Sequence, residues 1–432
     1  MINSDCLKIN TKGHLSIGDC DTVELAEKYG TPLYVMDENK IRKTCEMYRS
    51  SIDKYYNGNG MPLFASKAFS CKEICRIVNE EKMGLDVVSG GELYTALNAG
   101  FPPKKIHFHG NNKTVEEITF ALKSGVGHII VDNLTELETI EAKAKEMNKT
   151  ADITLRIKPG IDAHTHQFIR TGQIDSKFGF ALETGEAMEA VKVAVKYSNV
   201  NLKGLHCHIG SQIFDIQPFV EAAKVMLGFI KQIKDETGLE IKELNLGGGF
   251  GIKYVEDDAP VPYDKYMELV SEAVNISCKK YGLNVPYIYI EPGRSIVGEA
   301  GITLYKIGAI KNIPNVRTYV SVDGGMCDNP RYALYKSSYT ALIANKAALA
   351  ADEKVTIAGK CCESGDLIQE NTYIQKPEVG DVMAVLSTGA YNYSMSSNYN
   401  RITRPAVVMV NGNESRVIVK RETYEDLIRN DI

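Results

Sequence analysis

No stretch of the 432 residues approaches the length of a membrane span, and the first twenty residues contain no apolar core of the kind a secretory leader needs. A membrane-spanning or exported protein is thereby argued against, and a cytoplasmic one is expected. Basic blocks are missing as well. The formal net charge is -5, which argues against nucleic acid as a main partner. The ten cysteines (6, 20, 45, 71, 75, 207, 278, 327, 361 and 362) include no Cys-x-x-Cys pair and no spacing that suggests a disulfide framework, which fits a reducing compartment. Long linkers, repeats of solenoid period and low-complexity tracts are absent too. What is present, 44% hydrophobic and 24% charged residues, is the composition of an ordinary soluble globular protein long enough for two domains.

From residue 60 the chain reads as eight short apolar runs alternating with helix-like stretches: 62–66, 85–88, 106–108, 129–131, 153–157, 203–207, 243–246 and 287–290. Eight alternations over about 230 residues match an α/β barrel of the (β/α)8 TIM type. Residues 1–36 read as short strands (7–9, 15–17, 33–36) around a helix near 22–29, and from about 295 onward the runs lengthen (302–310, 318–322, 382–386, 406–410). The expected organisation is a barrel over 37–290 and a mainly β domain formed by 1–36 plus 291–432.

In such a barrel the chemistry sits at the C-terminal strand ends. The residues there are Lys67, Ser89, His109, Asp132, Lys158, His208, the triplet Gly247-Gly248-Gly249 and Glu291, with Asp86 and Arg156 inside their strands. Lys67 is the most informative, because a lysine at a strand tip can form a Schiff base, although a lone lysine there is usually a solvated charge. The glycine triplet follows the seventh run, where barrels commonly bind phosphate, yet a plain flexible turn explains it equally well. Three His-x-His pairs (107 and 109, 164 and 166, 206 and 208) motivate a different class, a metal-dependent barrel hydrolase. Against it, His164 and His166 fall in a loop after the fifth run.

Five motifs in order decide between these readings: Phe64-Ala65-Ser66-Lys67-Ala68, His208-Ile209-Gly210-Ser211-Gln212, Gly247-Gly248-Gly249-Phe250-Gly251, Glu291-Pro292-Gly293-Arg294 and Cys362-Glu363-Ser364-Gly365-Asp366. Together they resemble the fold-type III, alanine racemase-like pyridoxal-phosphate decarboxylases, and within these the diaminopimelate decarboxylase family. Asp162-Ala163-His164-Thr165-His166 and Asp175-Ser176-Lys177-Phe178-Gly179 are similar to the same branch.

The resemblance implies a homodimer with shared active sites, pyridoxal 5'-phosphate as cofactor, no metal, and decarboxylation of meso-2,6-diaminopimelate at its D-centre to L-lysine. It implies that Lys67 carries the cofactor covalently and that His208 lies against the pyridine face. Gly248, Gly249 and Ser211, with the turn Glu291, Pro292, Gly293 and Arg294, would cradle the phosphate, and Asp86 and Tyr391 would also touch the cofactor. Glu291 would face the pyridine nitrogen and keep it protonated, which suits a decarboxylase; an arginine there would suit a racemase. Cys362 would donate the final proton from the partner subunit. Arg294, Arg331, Tyr335, Glu363 and Tyr391 would bind the substrate, the first three at its distal, L-configured end. As bare residues, Arg331 and Tyr335 read more simply as surface partners four apart on a helix, and Cys361-Cys362 as small buried hydrophobes. Decarboxylases of other basic amino acids such as carboxynorspermidine share several of these residues and form the nearest alternative, followed by a cofactor-binding protein without activity.

Overall fold

The computed structural model describes residues 4–161 and 176–432, so His164, His166 and the rest of the 162–175 stretch lie outside the described residues. The chain forms two compact units: Thr44–Gly251 with Pro260–Gly293, and Met1–Lys43 with Ile252–Ala259 and Arg294–Ile432. The division falls inside the helix Glu38–Tyr56 rather than at residue 37. Residues 252–259 group with the sheet unit because Ile252 and Tyr254 are buried in its core, beside Tyr305, Tyr339 and Ile343.

In the first unit eight strands pair in parallel, each with its neighbour in sequence: Gly60–Ala65, Gly84–Val87, Ile106–Phe108, His128–Val131, Ala151–Lys158, Val200–Cys207, Glu243–Asn245 and Tyr287–Ile290. The eighth closes on the first, with Ile288 opposite Gly60 and Ile290 opposite Pro62. Strands buried on both faces need apolar side chains at consecutive positions, and Ile129, Ile130 and Val131 are buried in succession. Helices follow the first seven strands. Their starts are written in the sequence: Ser89, Thr114 and Asn133 each accept a hydrogen bond from the backbone N–H three residues on, and Glu117 completes a capping box with Thr114. The barrel expectation therefore holds strand for strand.

In the second unit Leu33–Asp37 lies between Gly301–Ile313, antiparallel, and Ala406–Asn411, parallel. Arg317–Val322, Glu353–Ala358 and Leu367–Ile374 extend the sheet beyond Gly301–Ile313, and Val382–Val385 pairs with that long strand as well. This sheet is the mainly β element expected from the longer apolar runs.

One buried ion pair ties the loop after the third barrel strand to the fourth strand and the helix that follows it. Lys113 Nζ donates to Gly110 O (2.9 Å), Ile130 O (2.7 Å) and the Glu136 carboxylate (2.7 Å). Burial lowers the Lys113 pKa and raises that of Glu136, so each charge depends on the other. Glu136→Ala strands the ammonium and should cost roughly 3–5 kcal/mol in denaturant-induced unfolding. The double variant Lys113→Met/Glu136→Leu should recover most of that loss. A single variant as stable as the parent would show that the pair does not hold this loop to its neighbours.

Candidate active site

Lys67 lies on the short turn Ser66–Ala68 that ends the first barrel strand, and its side chain is exposed. The turn is braced from below. Ser66 Oγ donates to Glu92 Oε2 (2.5 Å), which also accepts the Val88 N–H (2.8 Å). Two other candidates feel the lysine's charge: after burial it adds to the lowering of the His208 pKa, and at Asp86 it offsets part of the rise that burial and Glu291 cause.

Glu291 is buried at the end of the eighth strand. Its Oε1 accepts from Asn245 Nδ2 at 2.7 Å and lies 3.0 Å from His109 Nε2, while Oε2 lies 3.2 Å from His206 Nε2. Burial alone would raise its pKa, but the two imidazoles and their hydrogen bonds outweigh it and hold the carboxyl well below the usual range. Burial in turn pushes the His109 pKa down to about 4 and lowers that of His206. Glu291 thus stays ionised, hydrogen-bonded to Asn245 and His206 with the His109 ring close beside it. Asp86 is the opposite case. Burial and the nearby Glu291 charge push its pKa well up, and its Oδ1 has no hydrogen-bond partner among the described residues, with His109 Nε2 at 3.7 Å.

Among the described residues, the pairs His107/His109 and His206/His208 do not assemble as one metal site; His164 and His166 lie outside the described residues. His107 packs instead in a lower layer, 4.3 Å from the His128 ring and 4.6 Å from Tyr289. Among the described residues only His109, His206 and Glu291 bring one ligand atom each within 4.8 Å, and the hydrogen-bonding just described accounts for that approach.

His208, partly exposed after the sixth strand, is kept neutral: burial first, then the charges of Lys67 and Arg156, push its pKa well down. Its Nδ1 accepts the Gly248 N–H at 3.3 Å, which leaves the ring proton on Nε2. The glycine triplet has a reason that the sequence did not disclose. A Cβ at 247, 248 or 249 would lie 2.4, 2.1 or 2.4 Å from the carbonyl oxygens of Cys207, Glu291 and Gly210. Gly247 and Gly249 also take φ values of 70° and 116°. These glycines let the loops after the sixth, seventh and eighth strands stack backbone on backbone. Ser211 adjoins this turn, half-buried. Pro292 O accepts the Ala65 N–H (3.1 Å), and a Cβ on Gly293 would meet Ala65 Cβ at 2.9 Å, so the Glu291-Pro292-Gly293 turn is pinned to the strand that leads to Lys67.

Other strand-end residues serve structure. Ser89 caps a helix, Asp132 accepts the Gly179 N–H (3.0 Å), and Lys158 Nζ reaches Ser176 O (3.4 Å). Arg156 lies 4.2 Å above the Phe178 ring.

The remaining candidates belong to the sheet unit. Arg294 and Arg331 are both buried, which overturns the surface reading of Arg331. Arg294 Nη1 donates to Tyr254 OH (2.6 Å), and its guanidinium lies 4.7 Å from the Tyr391 ring centroid. Arg331 Nε donates to Tyr339 OH (2.8 Å), with the Tyr335 ring 5.6 Å and the Tyr391 ring 5.4 Å away. Arg331 and Tyr335 share a face of the short helix Arg331–Tyr335, as their spacing suggests. Cys361 is buried; Cys362 and Glu363 are exposed. The Cys362 N–H donates to Asn400 Oδ1 (2.7 Å), and Tyr399 OH reaches Glu363 Oε2 (3.3 Å).

Residues 38–298 match the family model described as the pyridoxal-binding domain of pyridoxal-dependent decarboxylases. The chain is 52% identical to the diaminopimelate decarboxylase of Bacillus methanolicus, over 96% of each chain. The chain belongs to the diaminopimelate decarboxylase family. It is also 50% identical to the enzyme of Bacillus subtilis (strain 168), over 98% of this chain and 96% of that one. Among solved structures it superposes on diaminopimelate decarboxylase from M. jannaschii in complex with L-lysine, with a TM-score of 0.92, 39% identity and coverage of 100% and 99% of the two chains.

The barrel residues fit the cofactor of this family. An exposed amine, an ionised buried carboxylate, a neutral imidazole and the unpartnered Asp86 Oδ1 form one set at the strand ends. Sequence reasoning passed over Asn245, and it considered His206 only as a metal ligand. Both sit inside strands, and the available signal was their place two residues before His208 and Gly247, on the same face. Tyr254 and Tyr339 were missed because nothing in their local sequence marks them.

Four histidines, 107, 109, 206 and 208, have pKa values depressed by burial. An unfolded chain titrates histidine near roughly 6.5. Below that pH it takes up protons that the folded barrel refuses, so the stability these groups carry is complete above about 6.5 and lost as pH falls toward about 4. The melting temperature of cofactor-free protein should fall steadily over this window. His107→Phe should flatten the dependence by up to roughly 1.4 kcal/mol per pH unit; an unchanged slope would remove His107 from the titration.

Proposed function

We propose that this chain removes the carboxyl group at the D-centre of meso-2,6-diaminopimelate, using pyridoxal 5'-phosphate, to give L-lysine and carbon dioxide as the last step of lysine biosynthesis. The observation that carries the reading is near-full-length identity of about half to curated enzymes of that one activity. The cofactor, when bound, supplies the electron sink for the pair left on carbon as the carboxylate departs.

Lys67 Nζ is the amine that holds the cofactor. Glu291, ionised and fixed by Asn245 and two imidazoles, is suited to keep a ring nitrogen protonated. His208, neutral and oriented by the Gly248 N–H, presents a flat face without adding charge. Asp86, Ser211, Gly248, Gly249, Pro292, Gly293, Arg294 and Tyr391 complete the cofactor contacts. Arg294, Arg331, Tyr335, Glu363 and Tyr391 bind the substrate. No carboxylate pairs with Arg331 among the described residues, so a substrate carboxylate answers an unmatched buried charge. An amine lacking that second carboxylate gains nothing from it, which is the basis of discrimination.

Cys362 Sγ delivers the proton that replaces the lost carboxyl group. We assign it to the site of a partner copy in a homodimer, so that each subunit completes the other's site. Its exposure, with that of Glu363, supports this, because a proton donor has to be shielded from water when it acts. Ten free cysteines and the absence, among the described residues, of any helix long and apolar enough to cross a membrane support placement in the cytoplasm.

Cofactor-loaded protein should release carbon dioxide from meso-diaminopimelate but not from the LL isomer, ornithine, arginine or carboxynorspermidine. Release from another of these amines alone would overturn the substrate assignment, and silence from all five would overturn the activity. Lys67→Ala and Cys362→Ala should each lose nearly all turnover, and mixed heterodimers of the two should regain part of it. Confirmed heterodimers without activity would refute shared sites.

A further inference from the structure

A proton donor carried on an exposed turn can be aimed only by what holds the backbone of that turn. At Cys362 two side chains of the sheet unit do so. The Cys361 N–H donates to Asp366 Oδ2 at 2.6 Å, and the Cys362 N–H donates to Asn400 Oδ1 at 2.7 Å. The Glu363 N–H turns back to Cys361 O at 2.8 Å, so three successive amides are fixed.

Both acceptors are themselves placed. Asp366 is buried, and its Oδ1 accepts the Met326 N–H at 2.5 Å. A Cβ on Gly325 or Gly359 would lie 2.5 or 2.2 Å from the same carboxylate, so these two glycines leave it room. Asn400 takes the left-handed conformation, φ 53° and ψ 24°, and Arg401 follows at φ 57°. Asparagine visits that region more readily than most residues with a side chain, yet two such residues in succession are costly and need support from their surroundings. The support is visible on the N-terminal side. Asn398 Nδ2 donates to Ile402 O (3.0 Å) and Glu422 Oε2 (2.6 Å), and the Ser397 N–H donates to Cys327 O (2.8 Å), next to the Met326 amide that Asp366 holds. The kinked stretch 397–402 is thus anchored to the same framework as the cysteine turn, and Asn400 joins the two.

We infer that Asn400 and Asp366 are positioning residues for proton delivery: they hold the amides of Cys362 and Cys361 and so fix the direction in which the Cys362 thiol is presented. This rests on the reading above that Cys362 gives the proton. In that step the S–H bond breaks, a C–H bond forms from the electron pair that departing carbon dioxide leaves on carbon, and the thiolate recovers a proton from water. Neither Asn400 nor Asp366 gives or takes a proton. A thiol that is free to swing leaves the carbon open to solvent protons from either side, so the loss falls on kcat and on the configuration of the new C–H bond and leaves KM alone.

Asn400→Gly keeps the left-handed backbone and removes only the acceptor. In cofactor-loaded protein the Cys362 amide should then exchange with solvent faster than in the parent, with the melting temperature close to the parent's. Turnover of meso-diaminopimelate should fall about tenfold or more in kcat at unchanged KM. Lysine made in deuterium oxide should carry the label in both configurations at the carbon that lost its carboxyl group, where the parent gives one. Asn400→Asp, which restores an acceptor oxygen at the same reach, should recover exchange protection, kcat and the single configuration. Asp366→Asn, which gives up one of the two acceptor oxygens, should act like Asn400→Gly and serves as the measurement if that variant does not fold. Cys362→Ala is measured alongside. If Cys362→Ala keeps turnover and a single configuration, the proton-donor reading falls and takes the inference with it. If Cys362→Ala loses turnover while Asn400→Gly keeps kcat and a single configuration, the positioning role falls and the donor reading stands. Unaltered exchange at Cys362 would overturn the inference by showing that Asn400 does not hold the amide, and a raised KM at unchanged kcat would overturn it by placing Asn400 with the substrate.

Discussion

A carboxylate shut away from water persists as an ion only among polar partners, and at Glu291 these come from three different places in the barrel wall, two of them hydrogen-bonded and one in close contact. Asn245 lies on the seventh strand, His206 on the sixth, and His109 follows the third. Because one side chain gathers groups from distant strands, its position is fixed by barrel closure itself and not by any single loop. The glycine triplet follows from the same demand. Gly248 lies so close beneath the Glu291 carbonyl that no side chain fits, and the Glu291 N–H returns a hydrogen bond to Gly247 O at 2.8 Å. The Gly248 N–H then fixes the His208 ring, so acid, turn and imidazole are set by one chain of contacts.

The sheet unit meets the mirror-image problem with the same device. In the barrel a buried anion is hydrogen-bonded to an imidazole and an amide; in the sheet unit the buried Arg331 donates to the Tyr339 phenol and pairs with no carboxylate among the described residues. Neutral partners offset part of the cost of burial while leaving the charge available to a ligand. An opposite charge would be the stronger partner and would spend the field internally. Lys113 and Glu136 show that alternative, a pair whose members satisfy each other and have no chemistry left to offer.

Much of this was legible in the sequence, for definable reasons. The eight strands could be read because each is a short apolar run between polar breaks; the helix caps at Ser89, Thr114 and Asn133 were not read there, although their side chains carry the signal. Lys67, His208 and Glu291 stood out because they end such runs. What escaped is what depends on distance across the fold. Asn245 and Tyr339 have no local signature, since their partners lie 46 residues away at Glu291 and 8 residues away at Arg331 by contacts that no periodicity encodes. The glycines were visible, but the backbone they lie against was not. Burial of Arg331 was missed for the same reason: two residues four apart on a helix share a face, and spacing does not say whether that face meets water.

The order of segments along the chain has a further consequence. The units draw on five stretches, Met1–Lys43, Thr44–Gly251, Ile252–Ala259, Pro260–Gly293 and Arg294–Ile432, alternating between them, so the backbone passes from one unit to the other four times. No single cut in the gene releases an entire barrel, and no simple fusion transplants the sheet unit onto another protein. During synthesis the strand bearing Glu291 emerges only after the stretch holding Tyr254 has already left the ribosome. The anion site of the barrel and the cation site of the sheet unit are thus built from stretches that interleave along one chain.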